Sequence, residues 1–234
     1  MDDGNEAEGI TQPAITREAI RSGAIAELVK QQDPDFQILS EHERQATLDK
    51  TLAAWDGGDI WLFGYGSLIW NPAFHYVERR LGRIHGYHRQ FCLWTPAGRG
   101  SPDFPGLMLA LEHGGSCQGI AFRIAADQVG EELDIVWRRE MIAGSYRPVW
   151  TTVHAAPSPV KAIAFVMDRT NHRYAGRLPD DQIVETIAHA HGPIGRCADY
   201  LFSTVEHLAE LGIDDHRLTH LAGLVRAKLK QNPA

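Results

Sequence analysis

The sequence predicts an α+β fold. Helical patterns occupy both ends, and runs rich in Val, Ile, Phe and Trp, separated by Gly or Pro, fill the middle. One amphipathic helix is embedded among those runs, which is the layout of an α+β domain rather than of alternating βαβ units. At 234 residues the chain suits one compact domain with an appendage and is too short for three.

Residues 1–13 are small and acidic and are expected to fray. Residues 15–31 read as a helix, since Ile20, Ala24 and Leu28 fall at i, i+4 and i+8. Ser40 followed by Glu43 is a capping-box pattern, so a helix runs from there to Trp55, stopped by Gly57 and Gly58. Ile60–Phe63 is a short apolar strand, and further strands are expected at 77–94, 107–111, 117–124, 148–155 and 160–168. Ala162–Met167 is apolar at every position, so both faces of that strand are expected to be covered. The embedded helix covers about 126–143. Three helices close the chain at about 180–190, 196–211 and 215–230, the first two ended by Gly192 and Gly212. The third carries the stripe Leu218, Leu221, Leu224 and Val225.

The net charge is −7, which argues against a dedicated nucleic-acid binder. The acid is unevenly spread. Residues 1–59 hold 13 Asp and Glu against 5 Lys and Arg, while residues 60–234 hold 17 against 18. Cys92, Cys117 and Cys197 show no C-x-x-C spacing, so neither a disulfide framework nor a zinc cluster is expected. His216 and His220 stand at i, i+4 but lack a third ligand, and no metal or cofactor is expected. The polar start lacks the features of a signal peptide, and the longest apolar run is six residues. A cytoplasmic protein without a membrane segment follows as the default.

Two features carry chemistry. On a wheel of 100° per residue started at Val129, Leu133, Val136 and Trp137 form an apolar face. Glu140 falls at about 20°, within that face, while Glu131, Asp134 and Arg138 lie opposite. Gly144 is expected to end the helix, so Glu140 sits in its last turn. Desolvation and the negative helix end both favour the neutral carboxyl, and a carboxyl with a raised pKa suits a general base near neutral pH. The plain structural alternative is an ion pair with Arg138, Arg139 or Arg147.

The second feature is Phe63-Gly64-Tyr65-Gly66-Ser67-Leu68, which places glycines at alternate positions directly after a strand. Such a turn can present backbone N–H groups to an anion or a developing oxyanion, or be no more than a tight turn. Lesser candidates are the Pro/Gly-ruled loop from Arg99 to Gly106 and the arginines Arg79, Arg80, Arg83 and Arg89. Tyr146 follows the helix stop and Tyr200 sits in a later helix.

Taken in order, these blocks resemble the ChaC family of γ-glutamylcyclotransferases. The resemblance rests on Ile60 through Trp70, on Gly86-Tyr87-His88-Arg89-Gln90-Phe91, and on Arg99-Gly100-Ser101-Pro102 with Pro105-Gly106. It continues through Trp137-Arg138-Arg139-Glu140, Gly144-Ser145-Tyr146-Arg147, His191-Gly192-Pro193-Ile194-Gly195 and Asp199-Tyr200-Leu201. It spans about residues 60–211. It implies a small β-barrel or mixed sheet surrounded by helices, with residues 60–234 as the catalytic domain behind an acidic helical extension, 1–59. It implies a lyase that releases 5-oxoproline from a γ-glutamyl compound, with glutathione as the usual small-molecule substrate. The family's acid/base glutamate maps onto Glu140. Its substrate-binding positions map onto Phe63, Gly64, Tyr65, Gly66, Ser67 and Leu68, with Arg99, Tyr146 and Tyr200 joining from the other blocks. The chain departs from the pattern at Cys197, where the family usually has Asn, and at Ser145 in the helix stop. Two alternatives stand beside this reading: the same chemistry on other γ-glutamyl amines or dipeptides, and a non-catalytic regulatory or binding protein linked to cation transport.

Overall fold

Residues 15–231 are described by the computed structural model of the chain, so the fraying expected of residues 1–13 lies outside the described residues. The leading segment holds helices α1 (Arg17–Arg21), α2 (Ala24–Gln32) and α3 (Glu41–Leu52). The single helix expected over 15–31 is broken. Gly23 takes a φ of 80°, a left-handed conformation that restarts the helix in a new direction. The start of α3 is capped as its sequence predicts. Glu43 N–H donates to Ser40 Oγ at 3.2 Å, and the Glu43 carboxylate accepts from Ser40 N–H at 2.8 Å. Its end comes at Leu52, short of Trp55.

Next come β1 (Ile60–Gly64), β2 (Glu78–Thr95), β3 (Gly106–Ile124), helix α4 (Val129–Glu140), β4 (Tyr146–Ala155) and β5 (Val160–Met167). Short 3-10 turns follow β1 at Ser67–Ile69 and precede α4 at Ala126–Gln128. The chain closes with α5 (Asp180–His189), the two-residue strands β6 (His191–Gly192) and β7 (Gly195–Arg196), α6 (Cys197–Glu210) and α7 (His216–Gln231). Gly192 therefore belongs to a small hairpin and does not terminate α5.

The long strands close into a barrel in the order β1–β3–β2–β4–β5, and β5 pairs back onto β1 in parallel. The two strands expected over 107–111 and 117–124 are one strand, β3. Gly114 and Gly115 have φ of 99° and 69°, and they lie opposite Gly86 of β2, whose φ is 85°. The register shifts there, between His85 and Tyr87. Left-handed glycines at the same level on both strands bend the hairpin without breaking it.

Alternation along the strands sorts two apolar clusters. Ile60, Leu62, Ile163 and Phe165 pack with helical residues such as Leu133, Trp137 and Leu201. Trp61, Phe63, Ala162, Ala164 and Val166 pack with Ile84, Leu111 and Val153, all from strands. Both faces of β5 are thus covered, as its unbroken apolar run predicts. Gly119 marks a tight point in this packing. A Cβ there would lie 2.3 Å from the Gly64 carbonyl oxygen and 2.8 Å from Phe63 Cζ. Gly119→Ala is expected to shift the end of β1 and to cost about 1–3 kcal/mol, read as a fall in Tm.

The leading helices are packed onto this body. Trp137 Nε1 donates to Thr47 Oγ1 at 3.0 Å, and Trp150 Nε1 donates to the Thr51 carbonyl at 2.9 Å. Arg17 of α1 pairs with Glu132 of α4, whose side chain is only 2% exposed, and His75 N–H donates to the same carboxylate at 2.8 Å. Arg17→Met is expected to cost about 3 kcal/mol, because it removes the cation from a buried carboxylate. Burial raises the Glu132 carboxyl, but the bonds from Arg17 and His75 outweigh it and hold the group below the usual carboxylate range. The pair therefore stabilises the fold at neutral pH and loses that effect as pH falls through the lowered pKa. The cost of Arg17→Met, measured by denaturation, should shrink in acid accordingly.

Candidate active site

β1 delivers the chain into the glycine turn at one wall of a cavity of about 180 Å³. Neither Gly64 nor Gly66 is at positive φ; both are needed for the side chain they lack. A Cβ on Gly64 would lie 3.0 Å from Phe122 Cε2 and 3.1 Å from Leu68 Cβ, and one on Gly66 would lie 3.0 Å from the Tyr200 hydroxyl. The turn then opens a 3-10 segment whose leading N–H groups have no earlier carbonyl to bond. The N–H groups of Gly66, Ser67 and Leu68 donate to no group among the described residues, and all three residues line the cavity. Arg89 braces the turn from behind. Its Nε donates to the Tyr65 carbonyl at 2.6 Å, while Nη1 pairs with Asp215 at 2.6 Å and Nη2 donates to the Gln118 carbonyl at 2.5 Å.

Glu140 faces the cavity from the last turn of α4, with 15% of its side chain exposed. Arg139 Nε lies 3.1 Å from Glu140 Oε1. The same guanidinium donates to Ser67 Oγ at 2.9 Å and to the Asn71 carbonyl. The ion pair weighed as the alternative is therefore present, with Arg139, and it ties the carboxylate to the glycine turn. Arg138 instead pairs with Asp134. Burial pushes the Glu140 carboxyl above its ordinary range, and Arg139 offsets that only in part. Glu140 is not the one acid on the apolar side of the helix, although it alone was singled out from the wheel. Glu132, which the wheel places at about 300° beside Val136, is buried too. The two differ in their surroundings: Glu132 is held low by two partners, whereas Glu140 is raised.

Tyr65, Tyr146 and Tyr200 also line the cavity. Burial raises all three phenols above their ordinary value, and the nearby Glu140 carboxylate adds to the effect. They remain protonated and able to donate at neutral pH. The structure thus brings together Glu140, Tyr65, Gly66, Ser67, Leu68, Tyr146 and Tyr200.

Other expected positions stand apart from the cavity. Phe63 is packed in the strand cluster and Gly64 lies beneath the turn. Arg99 lies behind Tyr200, its guanidinium carbon 5.7 Å from the ring centroid, and donates to the Arg196 carbonyl at 2.9 Å. Cys197 Sγ donates to the Leu107 carbonyl at 3.0 Å, so the departure at this position meets the β3 backbone. None of Arg79, Arg80, Arg83 and Arg89 lines the cavity; Arg80, for one, lies over the Trp61 ring at 4.6 Å. Sequence reasoning named Arg139 only as a possible ion-pair partner of Glu140, and it missed Arg173 in the wall. Arg139 was signalled by its place beside Glu140. Arg173 lies in a loop without periodicity, and no signal marked it.

Among the described residues, no helix is long and apolar enough to cross a membrane. Comparison with known proteins places the chain. The ChaC-like protein family model matches residues 60–228. The chain is 42% identical to the glutathione-specific γ-glutamylcyclotransferase of Escherichia coli over 197 residues, 83% of this chain and 85% of that protein. It is 33% identical to the human glutathione-specific γ-glutamylcyclotransferase 1 over 173 residues, 72% of this chain and 78% of that protein. A crystal structure of a glutathione-specific γ-glutamyl cyclotransferase from yeast superposes with a TM-score of 0.67 at 23% identity, covering 73% of this chain and 96% of that one, and so shares the fold. The chain belongs to the ChaC-like protein family.

Proposed function

We propose that the protein is a γ-glutamylcyclotransferase that converts glutathione to 5-oxoproline and cysteinylglycine, with Glu140 as its general base. The observation that carries this reading is a carboxyl whose pKa burial raises, sharing one cavity with backbone N–H donors that bond to no group among the described residues. The names of the E. coli and human relatives support the choice of glutathione.

The α-amine of the substrate is protonated in solution and is not a nucleophile. Glu140 takes one proton from it, and the freed amine attacks the γ-carbonyl carbon of the same molecule. A five-membered ring closes, and the carbonyl oxygen becomes an oxyanion. The N–H groups of Gly66, Ser67 and Leu68 are placed to bind that oxyanion. The bond from the γ-carbon to the cysteine nitrogen then breaks. The attacking nitrogen loses two protons in all and the leaving nitrogen gains two, so Glu140 relays them one at a time and ends unchanged. Proximity is built into the substrate, and the protein's task is to hold the folded conformer. No metal, nucleotide or water enters the balance.

Incubation of the purified protein with reduced glutathione, γ-glutamyl-alanine and γ-glutamyl-lysine tests the reading. Release of 5-oxoproline mainly from glutathione is expected. Release mainly from the other two would transfer the chemistry to another γ-glutamyl substrate, and no product from any would leave a binding protein.

A further inference from the structure

Arg139 shares the cavity wall with a second guanidinium. Arg173, on the loop after β5, lines the same cavity and is only 9% exposed. It is held on three sides. Its Nε donates to the Trp94 carbonyl at 2.7 Å, its Nη1 donates to Ser145 Oγ at 3.2 Å, and the Phe36 ring lies 4.9 Å from its central carbon. These partners are all neutral. Among the described residues no carboxylate pairs with Arg173, and its Nη2 donates to none of their groups. No buried side-chain nitrogen or oxygen among them lacks a hydrogen-bond partner, so Nη2 is accessible, and Arg173 borders both the Glu140 cavity and an adjoining one lined by Phe36, Ala97 and Gly98. Burial lowers its pKa to about 10, which leaves it charged at neutral pH. A charged guanidinium held by neutral groups, with donors left over, is built to receive an anion.

Glutathione offers two carboxylates. One is bonded to the carbon that bears the α-amine and must stay beside Glu140. The other ends the glycine, most of a tripeptide's length away. The position of Arg173 favours the second. Glu140 lines only the first of these cavities and is paired with Arg139, whereas Arg173 lines both and forms no ion pair with Glu140. Arg173 therefore stands where the Glu140 cavity meets its neighbour, apart from the base.

We infer that Arg173 binds the glycine carboxylate of glutathione and selects γ-glutamyl peptides that end in a free carboxylate. This rests on the proposed cyclotransferase reading. Phe36, from the leading segment, would then serve the site by fixing the plane of the guanidinium.

The test compares glutathione with its glycine amide, in which that carboxylate is neutral, by kcat/KM for 5-oxoproline release. The wild-type protein is expected to prefer glutathione by roughly 10- to 100-fold, the range of a hydrogen-bonded charge pair, mostly through KM. Arg173→Gln is expected to bring the ratio of the two substrates close to one, and Arg173→Lys to restore part of it. A wild-type protein that uses both substrates equally would overturn the inference without any variant. So would an Arg173→Gln protein that is slower on both by the same factor, since that is the mark of a structural role. Absence of 5-oxoproline from every substrate would instead remove the cyclotransferase reading, and this inference with it.

Discussion

Glu140→Gln is expected to fold normally and to lose at least about 100-fold in 5-oxoproline release from glutathione, the scale of general-base removal. The substitution keeps the size of the side chain and an oxygen for Arg139. It removes the only feature the proposed chemistry requires of this position, the ability to take up a proton. A circular-dichroism melt like that of the wild type would locate the loss in the chemistry. The same reasoning fixes the pH dependence. The base must be ionised, and burial raises the Glu140 pKa. kcat/KM is therefore expected to fall as pH drops through that raised value.

The second large effect is expected from Arg139→Met. This guanidinium joins Glu140 to Ser67 and Asn71, so its loss frees the base and loosens the turn together. A fall of about 10- to 100-fold in kcat/KM is expected, the worth of a charge-assisted hydrogen bond in a buried site. The sign of the pH effect separates this role from mere support. The Arg139 cation favours the charged carboxylate, so its removal leaves burial unopposed and raises the Glu140 pKa further. The acid limb of the pH–rate profile should move to higher pH in Arg139→Met. Arg139→Lys, which keeps the charge, should move it less. A limb that stays in place would show that the ion pair does not set the ionisation of the base.

Local signals in the sequence read correctly wherever the local chemistry decides the outcome. Ser40 and Glu43 cap α3, the unbroken apolar run of β5 is buried on both faces, and Glu140 faces a cavity from the apolar side of α4. Errors arose where distant residues decide. Gly114 and Gly115 look like a strand end until Gly86 is seen opposite them. Glu132 gives no local sign of its partner Arg17, which lies far off in the chain. The whole-chain charge also misdirects, because the acid is concentrated ahead of residue 60 while the cavity wall carries Arg139 and Arg173. Even the leading segment is not remote from the site, since Ile15 lines the cavity and Phe36 stacks on Arg173.

The central proposal is cyclisation driven by Glu140, with no water in the reaction. It is tested most directly by incubating wild-type protein and Glu140→Gln with glutathione in heavy-oxygen water and analysing the products by mass. Wild-type protein should release cysteinylglycine and unlabelled 5-oxoproline in equal amounts, and Glu140→Gln should release almost none. Labelled glutamate from the wild type, or near-full 5-oxoproline release from Glu140→Gln, would contradict the mechanism.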